Sequence, residues 1–78
     1  MKKIITLNEA RIMDNLFEGY PVKLIRTDGW KLELSMKYNE KGDTVFFVKS
    51  GRATINHGTN FDGLMSRLNR FEYTNIEY

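Results

Sequence analysis

Residues 30–38 alternate apolar and polar side chains without interruption. Trp30, Leu32, Leu34, Met36 and Tyr38 share one face, and Lys31, Glu33, Ser35 and Lys37 the other. The preceding run, Pro21 to Thr27, joins it through Asp28-Gly29, so the pattern predicts a β-hairpin. The side chains choose its register. A two-residue turn at Asp28-Gly29 would place Thr27 opposite Trp30 and turn Lys23 towards the core beside Leu34. A three-residue loop, Thr27-Asp28-Gly29 with Gly29 left-handed, instead opposes Arg26 to Trp30, Leu24 to Leu32, Val22 to Leu34 and Lys23 to Glu33. A one-residue slip would carry a whole strand to the wrong face, so the second register is the predicted one. It also predicts a cation–π contact between Arg26 and Trp30.

A third strand is predicted at residues 44–49, after the polar turn Asn39-Glu40-Lys41-Gly42-Asp43. Its four consecutive apolar residues leave the register open. Turning Phe46 and Val48 inward keeps Lys49 in solvent opposite Glu33, and sends Val45 and Phe47 outward. The outer face of the sheet would then carry Lys23, Ile25, Lys31, Lys37 and Lys49 around Val45 and Phe47. A mixed basic and apolar face of this kind calls for a cover or a partner, so these seven residues are the candidate partner-binding surface.

Helical spacing appears on both sides of the hairpins. Thr6-Leu7-Asn8-Glu9 fits a capping box with Thr6 as N-cap, with Ile5 and Ala10 as its hydrophobic staple. Ala10, Met13, Leu16, Phe17 and Tyr20 form the apolar stripe of that first helix, with Ile12 flanking it; Gly19 and Pro21 end it. A second helix begins at Thr59 or Asn60, with Asp62 completing a capping pattern, and buries Phe61, Leu64, Met65, Leu68 and Phe71. Gly63 weakens this helix unless it allows close approach to the sheet. Arg67 and Arg70 suit its negative C-terminal end.

Lys2 to Ile5 can add a short edge strand, and residues 52–57 a fourth strand or an ordered loop. The strand-forming tail, residues 71–78, can lie over the basic outer face. The expected fold is α+β: one domain over residues 1–78, in the order (β)-α-β-β-β-α-(β). Its three-stranded antiparallel sheet is extendable to four or five strands, and both helices lie on one face.

Composition narrows the chemistry. A chain of 78 residues buries only about 60% of the surface it exposes when unfolded. With no cysteine it has no disulfide, zinc-thiolate site or thiol nucleophile. The core, rich in aromatic residues, must therefore suffice, or binding or self-association must add stability. The apolar run after Met1-Lys2-Lys3 stops at Asn8-Glu9, too short for a secretory signal, and nothing approaches a membrane span. The expected setting is the cytoplasm.

His57 is the sole histidine, and in a glycine-flanked loop it reads as a solvated or capping residue rather than a base. Ser35, Ser50 and Ser66 lie in no nucleophile elbow. The acids have no metal-site spacing, and residues 51–58 lack a phosphate loop's lysine. No enzymatic role and no cofactor is expected.

The helix, three strands, helix order resembles that of the double-stranded RNA-binding domain in topology. That family grips phosphates with lysines at the start of its second helix, whereas here that helix opens Asn60-Phe61-Asp62-Gly63. A tight turn also replaces the family's long loop between the first two strands, so its function is not carried over.

Two functional classes remain. The first is a protein-binding module, with a homodimer as one form of it. Its size and composition are those of accessory proteins by which phages and mobile elements inhibit host defence complexes such as CRISPR nucleases. The second is a nucleic-acid-binding domain with Phe47 stacking a base and Lys23, Lys31, Lys37 and Lys49 along the backbone. The formal charge of only +2 weighs against the second.

Overall fold

The computed structural model describes residues 4–78. The element order is α1 (Glu9–Phe17), β1 (Val22–Arg26), β2 (Lys31–Tyr38), β3 (Thr44–Ser50), β4 (Ala53–Asn56), α2 (Phe61–Leu68) and β5 (Tyr73–Glu77). The five strands form one antiparallel sheet in the order β4-β3-β2-β1-β5. This is the expected α+β layout with five strands: residues 53–56 and the tail supply β4 and β5, while the N-terminal strand of the expected order is reduced to a bridge at Ile5.

The β1–β2 hairpin takes the three-residue register, pairing Val22 with Leu34, Lys23 with Glu33 and Leu24 with Leu32. Gly29 stands at φ 86°, a conformation in which any side chain would be strained. Its N–H donates to the Arg26 carbonyl at 2.9 Å, and the Arg26 N–H donates to the Trp30 carbonyl at 2.9 Å. The β2–β3 register pairs Glu33 with Lys49 and Met36 with Phe46, as the inward choice of Phe46 and Val48 requires.

One face of the sheet therefore buries Val22, Leu24, Leu32, Leu34, Phe46 and Val48. Onto them α1 packs Ile12 and Leu16, and α2 packs Leu64, Met65 and Leu68. Among the described residues no polar or charged side chain is buried, apart from Tyr73, whose hydroxyl donates to the Leu68 carbonyl at 2.7 Å. That bond fastens the last residue of α2 to the first of β5. Burial raises the Tyr73 pKa, and the Arg26 charge opposes the shift.

Several local expectations change. Asn8, not Thr6, is the N-cap of α1: its Oδ1 accepts the Arg11 N–H at 3.1 Å. The later start leaves Ile5 extended, so that its N–H can donate to the Tyr73 carbonyl at 2.9 Å in a bridge beyond β5. Of the proposed Lys2–Ile5 strand, Lys2 and Lys3 lie outside the described residues.

The buried stripe of α1 is Ile12 and Leu16, with Met13 half-buried, while Ala10, Phe17 and Tyr20 are exposed. Two residues a full turn apart suffice to seat this short helix, so the rest of the apolar set rotates away from the sheet. The helix closes as a Schellman motif: the Gly19 N–H donates to the Leu16 carbonyl and the Tyr20 N–H to the Asn15 carbonyl, each at 3.0 Å.

Arg26 does not stack on Trp30. Asp28, two residues along the turn, holds its guanidinium at 2.7 Å, and the Phe71 ring lies under it at 4.2 Å. Phe71 consequently sits beyond the end of α2, exposed, instead of in that helix's buried stripe. Trp30 and Tyr38, at the ends of the alternating run, are exposed because the helical layer does not reach them. The tail does not cover the outer face. It becomes edge strand β5 beside β1, pairing Lys23 with Glu77 and Leu24 with Ile76, because Tyr73 and Ile76 have apolar surface to bury on the helix side.

Asn60 caps α2, its Oδ1 accepting the Gly63 N–H at 2.9 Å. A Cβ on Gly63 would meet the Asn60 Nδ2 at 3.0 Å, so the glycine makes room for the cap rather than for the sheet. Gly63→Ala should therefore gain less than the ~1 kcal/mol of helix propensity it adds, and should gain the full amount in an Asn60→Ala background. Urea unfolding of the four proteins of that cycle measures the coupling. Tyr73→Phe should cost about 1 kcal/mol in the same measurement, since the Leu68 carbonyl keeps the Phe71 N–H at 3.2 Å.

Candidate functional site

The outer face is built by strand alternation alone. Lys23 stands between Glu77 on β5 and Glu33 on β2, Glu33 in turn faces Lys49 on β3, and Lys49 faces Thr54 on β4. A row of acid, base, acid, base and hydroxyl thus crosses all five strands. Neighbouring strands lie about 4.8 Å apart, so opposite charges alternate at short range across the face. None of these pairs closes to a salt bridge; among the described residues the close ion pair is Arg26–Asp28. The lysine and glutamate head groups of the row stay free to meet a third group.

Beside this row lies a groove of about 520 Å³, walled by Lys23, Ile25, Lys31, Glu33, Lys49 and Glu77. Trp30 and Gly51 close it at the hairpin end. The indole is 51% exposed, and its Nε1–H donates to Ser50 Oγ at 2.6 Å, which holds the ring across the start of the β3–β4 turn. Gly51 lies close beneath, since a Cβ there would stand 3.8 Å from the ring.

Of the seven residues proposed from the sequence, Lys23, Ile25, Lys31 and Lys49 line this groove. Val45, Phe47 and Lys37 do not. They occupy the other half of the same face, where Val45 pairs with Lys37 and the Lys37 Nζ lies 5.9 Å from the centre of the half-buried Phe47 ring. The single surface expected from the sequence is therefore two adjoining ones.

Three groove residues escaped the sequence reading. Glu33 was seen only as a partner for lysines. Trp30 figures in the sequence only as one end of the alternating apolar face and as a partner for Arg26. Glu77 needed the pairing of a distant tail with β1, for which the one available sign was the strand propensity of residues 73–77.

The one histidine, His57, lies away from the groove. His57 continues the β3 ladder, its N–H donating to the Phe46 carbonyl at 2.9 Å. Its pKa is lowered, chiefly by burial and further by the Arg67 charge. Neutral His57 is thus the form the fold prefers, so its contribution to stability is complete above the unfolded value of 6.5 and is lost as the pH falls through the lower folded value. Melting temperatures at about pH 7.5 and pH 5.5 should differ less for His57→Gln than for the parent protein. Unequal losses in the opposite sense would show that the ring is stabilised by protonation.

Among the described residues no group of three histidine or acidic side chains is placed to hold a metal ion, and no helix is long and apolar enough to cross a membrane. No protein-family model matches this chain, and neither a curated protein nor a solved structure is significantly similar to it.

Proposed function

We propose that this chain is a non-enzymatic protein-binding module that docks its partner on the outer face of its sheet. The observation that carries the reading is the groove. It offers both signs of charge in a fixed row, the aliphatic surface of Ile25, and a half-exposed indole already anchored by one hydrogen bond. Tryptophan surrounded by polar groups is the residue type in which protein interfaces concentrate their binding energy. The size and composition of the chain point to accessory inhibitors of host defence machinery, so a nuclease complex of the CRISPR type is the first partner to test.

The second reading, nucleic-acid binding, draws on the same lysines and on Phe47. Glu33 and Glu77 weigh against it, because they stand between and beside the lysines that would have to follow a phosphate backbone. A groove selected for polyanions would carry neutral or basic residues there. A homodimer through this face is the third outcome, read directly from the concentration dependence of sedimentation.

Tagged protein incubated with lysate, with and without nuclease, separates the classes. The same polypeptide should be captured in both. Lys31→Glu with Lys49→Glu should weaken capture at least tenfold, about 1.4 kcal/mol, without lowering the melting temperature. Trp30→Ala should cost about 2 kcal/mol of binding as an aromatic anchor at the groove's end. A partner lost with nuclease, bound with an affinity that falls steeply with salt, would establish the nucleic-acid reading instead.

A further inference from the structure

The helical side of the molecule carries an unpartnered surface of its own. Phe17 is 49% exposed, Tyr20 61% and Tyr38 62%. The fold brings all three to one end. Phe17 and Tyr20 lie where α1 runs into β1, whose first residue pairs with Leu34 of β2. Tyr38 ends β2 a few residues further on. Met13 of α1 and Met36 of β2, both half-buried, pack against the core at the same end. The two helices converge at the other end, where the Asn69 Nδ2 reaches the Glu9 Oε1 at 3.5 Å. The α2 N-terminus lies over β3 instead, with the Phe61 ring 5.2 Å from that of Phe46.

These aromatics have no internal function. Neither the Tyr20 nor the Tyr38 hydroxyl makes a hydrogen bond among the described residues. Large, half-exposed Phe, Tyr and Met side chains gathered at one place are costly to leave in water and are the types enriched at interface centres.

Charge identifies what fits. Asp14 on the last turn of α1 and Glu18 at its C-cap flank Phe17 and Tyr20 in sequence, Glu40 and Asp43 follow Tyr38 in the β2–β3 turn, and all four are exposed. Against them stand Lys41 in the same turn and Lys37, which points to the opposite face over Phe47. The chain as a whole is positive, so this end opposes the net charge of the molecule. We infer that the Phe17–Tyr20–Tyr38 surface docks a basic segment of a partner protein, one that presents bulky apolar side chains flanked by lysine or arginine. This surface is independent of the outer-face groove: there both signs of charge alternate, whereas here the acids outnumber the bases.

Methionine methyl resonances test this directly. Met13 and Met36 flank the surface, Met65 is buried in the core, and the Trp30 indole N–H reports the outer groove. The probes are two synthetic amphipathic peptides with identical leucine and tryptophan positions, one filled out with lysine and the other with glutamate, titrated to ~1 mM. The lysine peptide should shift the Met13 and Met36 methyls with at least tenfold higher affinity than its glutamate twin, leaving Met65 and the Trp30 indole unmoved. Tyr20→Ser with Tyr38→Ser, and separately Glu18→Lys with Glu40→Lys, should each weaken that binding at least tenfold while the melting temperature holds. Equal affinity for both peptides, no methyl shift at these concentrations, or a response at Trp30 alone would overturn the assignment. So would methyl shifts that follow protein concentration without peptide, which would give the surface to a second copy of the chain.

Discussion

The register of the β1–β2 hairpin is the constraint from which the rest of the structure follows. Strand side chains repeat with a period of two, so a shift of one residue would have put Lys23 beside Leu34 and expelled Val22 and Leu24 from the core. The three-residue loop prevents this, and it depends on the left-handed backbone of Gly29 closing on the Arg26 carbonyl. Asp28 reinforces the closure twice, accepting the Trp30 N–H at 3.0 Å with one carboxylate oxygen and holding the Arg26 guanidinium with the other. Once β1 and β2 are aligned, β3 can place Lys49 against Glu33 and β5 can place Glu77 against Lys23. The alternating row on the outer face and the apolar inner face are then two results of one alignment.

What could be read from the sequence was whatever local chemistry decides. The hairpin loop and the glycine stop of α1 follow from residues within a few positions of each other, and the inward choice of Phe46 and Val48 needed only Glu33 on the neighbouring strand. The outcomes that escaped the reading required knowledge of distant neighbours. Thr6 and Asn8 are both competent caps, and the choice between them falls to Ile5, which must remain extended to meet Tyr73. Arg26 had two aromatic rings within reach, and the nearby Asp28 carboxylate turned it towards Phe71, which no pattern in the chain connects to it. Amphipathic periodicity also overstates burial at the ends of elements. Phe17, Tyr20, Trp30, Tyr38 and Phe71 all continue an apolar period and all lie past the edge of the layer that would cover them.

The same distinction governs the candidate site. The lysines of the outer face were legible because alternation fixes them. The glutamates between and beside them were harder to weigh, and they change the chemistry. A face of lysines alone would attract polyanions, whereas lysines interleaved with carboxylates discriminate among partners by the order of their charges. The exposed aromatics add the apolar contact that such charges lack. On a domain this small, with twelve buried core side chains among the described residues, nearly every large apolar residue left outside the core represents stability forgone.

The bridge between Ile5 and Tyr73 has a consequence for how the chain matures. Tyr73 lies in the core, holds the end of α2, pairs with Arg26 and receives the segment that leads into α1. The contacts with Arg26 and Ile5 join late-synthesised residues to early ones. During translation the first four strands can pair among themselves, but β1 keeps an open edge and α1 an unanchored approach until residues 73–77 have emerged. Completion of the native sheet thus waits until residues 73–77 have been made, and a ribosome-bound chain lacking those five residues would expose the edge of β1 as a template for mispairing with its neighbours on the same message.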